Sequence, residues 1–147
     1  MGLLGSEIMK RSSVATKYII GSSEYLSEQV KTITIQNSND VPTEGVTASW
    51  DVSAKGDGSV MAWIEYNSEV EGVQLYDLYL GGSGDILLPQ DSSWFFSNYS
   101  KCMSIEGMKF LNTANVTNMN YMFLRCRSLT SLDVSGFDTS EDLIQQM

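Results

Sequence analysis

The chain has 147 residues, 42% of them hydrophobic and only 18% charged, which predicts one domain whose polar surface is built from Ser, Thr, Asn and Gly, the residues of strands and turns. Nine basic against 18 acidic residues leave a net charge of -9, and residues 51–100 hold 1 basic and 8 acidic of these; direct nucleic-acid binding, which needs clustered Lys and Arg, is excluded. The absence of histidine excludes Ser-His-Asp and Cys-His catalysis and removes the commonest transition-metal ligand.

Residues 1–21 read as an appended arm that need not be ordered. Ile8, Ala15, Tyr18 and Ile19 can share a helical face, but Gly2, Gly5 and the serines weaken it. The arm is a poor signal peptide, because basic residues follow the first apolar ones and Lys17 interrupts the later ones. Gly2 and Ser6 formally match a short, weak myristoylation pattern. Ser22-Ser23 can cap a short helix running to Val30. Residues 22–147 are expected to form one repeat-type domain, with 22–95 as an N-terminal cap and strands, 96–140 as repeats and 141–147 as a C-terminal cap.

Thr32-Ile33-Thr34-Ile35 alternates and is β-branched, so it predicts a strand. Asn37 to Gly45 is a loop. Strands are then predicted at Thr47–Val52, Val60–Tyr66, Gln74–Leu80 and Ile86–Leu88. Lys55-Gly56-Asp57-Gly58 supplies a tight turn, and Asn67 to Gly72 is read as an acidic loop. In Val60–Tyr66 both faces are apolar, which implies burial on two sides.

A repeat begins at Phe96. At an offset of 27, Phe96 falls on Phe123, Tyr99 on Cys126, Cys102 on Leu129, Ser104 on Ser131, Ile105 on Leu132 and Glu106 on Asp133. After a one-residue slip, Asn112-Thr113 falls on Asp138-Thr139. That period lies in the leucine-rich-repeat range. Met119, Met122 and Phe123 stand at i, i+3 and i+4, the inner face of a short helical turn. Leu129 to Val134 is read as a strand with Leu129, Leu132 and Val134 inward and Thr130, Ser131 and Asp133 outward. Ser140 and the acids after it can start a final short helix.

These repeat residues resemble the BspA-like leucine-rich-repeat surface proteins, whose pattern is roughly F-D-T-S-N-V-T-N-M-x-x-M-F-x-x-C-x-S-L-T-S-L-D-L-S. Asn115-Val116-Thr117-Asn118-Met119, Met122-Phe123, Cys126 and Ser128-Leu129-Thr130-Ser131-Leu132-Asp133 match it position by position. Ser49–Glu65, Tyr76–Gly82 and Ser104–Met108 are similar to the region preceding such repeats. The resemblance implies an α+β fold, a short leucine-rich-repeat-like parallel β-solenoid with a strand-rich N-terminal cap. It also implies a non-catalytic bacterial protein-binding module used in surface adhesion. Solenoid coils need neighbours to bury their faces. Leu143, Ile144 and Met147 are therefore expected to plug the last coil; an open C-terminal edge would instead form a homodimer.

No enzyme, cofactor or metal is expected. Cys102 and Cys126 lack zinc-type spacing and read as free, mostly buried thiols. Asp51, Asp57 and Asp85 have no EF-hand spacing, and Gly81-Gly82-Ser83-Gly84 is a turn rather than a phosphate cradle. The sequons at Asn98 and Asn115 read as turn chemistry. Two surface patches are candidates for binding a protein partner. One is the outward strand row of Met103, Glu106, Thr130 and Asp133. The other is the acidic stretch of Glu65, Glu69, Glu71 and Asp77. The alternative to an adhesin is a small acidic intracellular inhibitor, phage or mobile-element encoded, that blocks a basic nucleic-acid-handling protein. The resemblance places the chain at the cell surface, whereas the absence of a clear export signal suggests the cytoplasm.

Overall fold

The computed structural model describes residues 5–137. In chain order its strands are β1 (Gly5–Glu7), β2 (Val30–Gln36), β3 (Ala48–Asp51), β4 (Val60–Val70), β5 (Val73–Gly82), β6 (Asp85–Leu87), β7 (Ser104–Glu106) and β8 (Leu111–Asn112). Short 3-10 turns at Ser13–Ala15, Ser27–Gln29 and Met108–Phe110 are the only helical structure among the described residues. A five-stranded mixed sheet has the order β3-β4-β5-β2-β7, and a three-stranded parallel sheet has the order β1-β6-β8.

The β-branched and aromatic runs seen in the sequence build the large sheet. One face carries Val60, Ala62, Ile64, Leu78, Leu80, Val30, Ile33, Ile35 and Ile105, all buried in the single core. Polar residues alternate onto the other face. Trp63 and Met61 are the apolar exceptions there; Trp63 is buried and stacks on Tyr79 at 5.5 Å, and Gly81 packs against both its ring and the Ser38 carbonyl. Asn39 ties that loop to the β3–β4 turn by donating to the Gly58 carbonyl at 2.9 Å. The two-sided burial expected for β4 thus holds for Trp63, while Met61 is half-buried.

The segment read as an acidic loop at Asn67 to Gly72 is instead the end of a long hairpin. β4 pairs with β5 as far as Val70 opposite Val73, leaving Glu71 and Gly72 as a two-residue turn, both with positive φ (52° and 81°). That is the mirror-type turn whose twist matches a hairpin. The usual Asn-Gly signature is replaced by Glu-Gly, which hid it.

Residues 5–21 also correct the sequence expectation: they are neither an appended arm nor a helical face. β1 pairs with β6, Met9 donates to Val52 O, and Ile8, Ile19 and Ile20 lie in the core. Arg11 is 2% exposed. Its Nη1 donates to the carbonyls of Trp94, Phe95 and Ser97 at 3.1, 3.1 and 2.7 Å. Its Nη2 donates to Thr16 O, Tyr18 O and Ser27 Oγ at 2.7, 2.8 and 2.6 Å. The guanidinium also sits 4.7 Å from the centre of the Tyr99 ring. Burial pulls its pKa down, partly offset by Tyr99 and then Cys126, yet arginine starts so high that the charge persists at neutral pH. The helix expected from Ser22 to Val30 shrinks to the Ser27–Gln29 turn, with Ser22 Oγ accepting from the amides of Glu24 and Tyr25.

The repeat is visible in space. Residues 92–98 run beside 118–124, with the amides of Ser92, Trp94, Phe96 and Asn98 donating to the carbonyls of Asn118, Asn120, Met122 and Leu124 at 2.8–3.1 Å. Phe96 stacks on Phe123 at 5.5 Å and 8°, and Trp94 meets Tyr121 with rings tilted by 32° at 4.8 Å. The left-handed residues recur at the same offset: Trp94 and Tyr121 (φ 66° and 59°), then Asn98 and Arg125 (φ 68° and 65°). Met119 and Met122 are core residues, as expected.

The α+β solenoid expected from the resemblance does not form. The regular structure of the described residues is β, in the two sheets above, with almost no helix and no solenoid. β3, β4 and β5 make an antiparallel meander, a pairing that coils wound in one direction cannot contain. Leu129 to Val134 keeps the expected partition, with Leu129, Leu132 and Val134 half-buried and Thr130, Ser131 and Asp133 exposed, but it forms no ladder and no strand. Met119 to Phe123 is a series of turns rather than a helix. The C-terminal plug of Leu143, Ile144 and Met147, and the edge it would close, lie outside the described residues.

Candidate functional site

The polar face of the five-stranded sheet is the strongest candidate site. Strand register sets its layout. Glu65 of β4, Asp77 of β5, Thr32 of β2 and Ser104 of β7 form one row across the sheet. Ser49, Trp63, Tyr79, Thr34 and Glu106 form the next. Because side chains alternate with period two, these residues share one face.

Glu65 and Asp77 stand directly opposite each other on neighbouring strands. Like charges in that position repel and destabilise a sheet. Asp77 is held in place by Thr32 Oγ1, which donates to Oδ1 at 2.7 Å, and by Asn67 Nδ2, which donates to both oxygens at 3.0 and 3.2 Å. The single ion pair among the described residues joins Lys10 to Asp91 at 3.1 Å, so no cation is paired with Glu65, Asp77 or Glu106. Burial raises the Tyr79 pKa, and Glu65 and then Asp77 raise it further. The phenol thus feels the negative potential of this face.

The structure puts Glu65, Asp77 and Glu106 on one face of the sheet, Glu106 two strands from Asp77, whereas the sequence had assigned them to two separate patches. Asp133 joins them at the edge: with Ile105, Glu106, Gly107, Met108 and Lys109 it lines a groove of about 330 Å³ beside β7. Ser135 donates to the Asp133 carboxylate and holds its pKa down. Glu69 and Glu71 lie apart, at the far end of the β4–β5 hairpin, where Tyr66 and Val70 are 55% and 50% exposed. Met103 is exposed at the start of β7, and Thr130 is exposed outside the groove. Thr32, Asn67 and Tyr79 were missed. The alternation of Thr32-Ile33-Thr34 signalled an outward Thr32, but nothing in the sequence places it against Asp77.

Three aspartates elsewhere are structural. Asp51, Asp57 and Asp91 each accept from the amide and hydroxyl of the serine two residues on, at 2.5–3.1 Å. This Asx-turn geometry closes loops and lowers the three pKa values. Cys102 and Cys126 are free thiols that donate to the carbonyls of Ser104 and Phe96, and burial pushes Cys102 up to about 12. Among the described residues no cluster of His, Cys, Asp and Glu is placed to hold a metal, and no helix is long and apolar enough to cross a membrane. Comparison with protein-family models, curated proteins and solved structures returned no match.

Proposed function

We propose that the chain is a non-catalytic protein-binding module that docks the acidic face of its five-stranded sheet onto a cationic surface of a partner protein. The observation that carries this reading is the Glu65–Asp77 pair. Two carboxylates opposed across a strand pair, with no ion-paired cation among the described residues, cost the free protein stability. A basic partner would relieve that repulsion on binding. Local conflict of this kind is typical of functional positions. The fit is to a small acidic inhibitor of a basic nucleic-acid-handling protein, with long-range attraction raising the association rate.

The resemblance to BspA-like repeats supports a second reading, a surface-adhesion module. The observation favouring it is the stacking of Phe96 on Phe123 and the tilted ring contact of Trp94 with Tyr121, which puts matching repeat residues side by side. Salt separates the two readings. The test is affinity capture from the source cell with low-salt and high-salt washes, run beside Glu65→Gln and Asp77→Asn. The inhibitor reading expects a basic partner that is recovered at low salt, lost at high salt and lost with either variant. Capture that is insensitive to both salt and the variants would reject it.

A further inference from the structure

A second site of opposite sign lies at one corner of this acidic protein. Lys17, Leu26, Glu28, Asn98, Ser100, Arg125 and Arg127 line a pocket of about 360 Å³. Three of the chain's nine basic residues meet there with one carboxylate, a local balance of 3 − 1 = +2 against -9 overall. None of the three cations takes part in an ion pair among the described residues. Arg11, by contrast, is buried with both Nη atoms engaged, and Lys10 is paired.

The pocket's construction follows the repeat. Asn98 and Ser100 occupy one copy; Arg125 and Arg127 stand 27 residues later, at the same two positions of the next. The two passes are bonded together, the Asn98 amide donating to Leu124 O and Ser128 Oγ to Ser100 O, both at 2.8 Å. Asn98 and Arg125 are both left-handed, with φ of 68° and 65°. Asparagine tolerates that conformation and arginine does not favour it. The second copy therefore carries two guanidinium groups at the corner where the first carries an amide and a hydroxyl, and one of them sits on strained backbone.

We propose that this pocket binds the phosphate or sulfate group of a small ligand. Guanidinium groups present planar forks of donors suited to the oxygens of a tetrahedral dianion, and a lysine adds a compact charge. The volume lies at the small end of ligand pockets. Glu28 in the lining would repel a dianion unless the cations outweigh it, and here they outnumber it three to one. This site is independent of the acidic sheet face and stands whether or not that face docks a partner.

The test is an NMR titration of the full chain at constant ionic strength. It follows the arginine side-chain N–H groups and the amides of residues 98–100 and 125–127. Inorganic phosphate, inorganic sulfate and acetate are the probes. Phosphate and sulfate should produce saturable shifts confined to the pocket, and acetate should not. Arg127→Ala should weaken phosphate about tenfold, the scale of a charge-assisted hydrogen bond partly exposed to water. Arg125→Asn removes the charge while keeping a residue that accepts the left-handed backbone, and should weaken it similarly without lowering the melting temperature. Shifts that acetate reproduces, that never saturate, or that survive both variants would overturn the proposal.

Discussion

Replacing Arg11 should be the most damaging single change of a charged residue in this protein. Its two Nη atoms serve six acceptors. Not all six would be stranded by its removal. Trp94 O also accepts from the Ser97 amide and hydroxyl, and Thr16 O and Tyr18 O also accept from Ser27 Oγ. Phe95 O and Ser97 O have no other donor among the described residues. Two orphaned buried carbonyls cost about 1–3 kcal/mol each, and the space left against Tyr99 adds to that. Arg11→Ala should therefore lose about 4–6 kcal/mol, a large part of the roughly 5–15 kcal/mol that holds a domain together. Arg11→Lys keeps the charge, but a single nitrogen can serve only one of the two acceptor groups, so a loss of about 2 kcal/mol is expected. Urea unfolding followed by tryptophan fluorescence measures both. An Arg11→Ala protein within about 1 kcal/mol of the parent, well under the cost of stranding two carbonyls, would refute the reasoning.

Glu71→Asn should stabilise by about 0.5–1 kcal/mol, because asparagine accepts the left-handed conformation that glutamate occupies there; an unchanged or lower melting temperature would count against the assigned turn. Gly107→Ala should destabilise by about 3 kcal/mol, since its φ is +83° and an added Cβ would lie 1.9 Å from Ile35 O; thermal unfolding by circular dichroism decides it. Serine hydrogen bonds hold the Asp51, Asp57, Asp91 and Asp133 pKa values below their unfolded value. Their contribution to stability is then complete above about pH 4 and lost as pH falls through the folded pKa values. Melting temperature should hold from neutral pH to about pH 5 and drop below about pH 4; a protein equally stable at about pH 2 would contradict this assignment.

Much of the large sheet was legible because its strands are β-branched or aromatic and alternate cleanly. β2 through β6 were located to within a few residues, with β4 running four residues further than expected. The repeat offset was legible too, and Phe96 over Phe123 proved to be a physical stack. The way the repeat sits in the fold was not, since pattern alone cannot distinguish a ladder-forming Leu-x-x-Leu from one that packs without pairing. β7 at Ser104–Glu106 pairs with β2, whereas its copy at residues 131–133 forms no strand. The N-terminal segment misled because its role rests on contacts with residues about 80 positions away, which no local window contains. The same holds for the acidic face, where the placing of Glu106 on the same face as Glu65 and Asp77 depends on β2 entering the sheet between β5 and β7.

The Arg11 clamp also bears on how the chain is made. Its partners at Trp94, Phe95 and Ser97 lie 83–86 residues further along. At ordinary elongation rates the ribosome delivers them roughly 4–17 s after Arg11 itself. Until then Nη1 lacks its three acceptors, while Nη2 already has Thr16 O, Tyr18 O and Ser27 Oγ within reach, 5–16 residues along. The segment around Arg11 is thus completed only once Ser97 has been made, and half of its clamp waits through that interval.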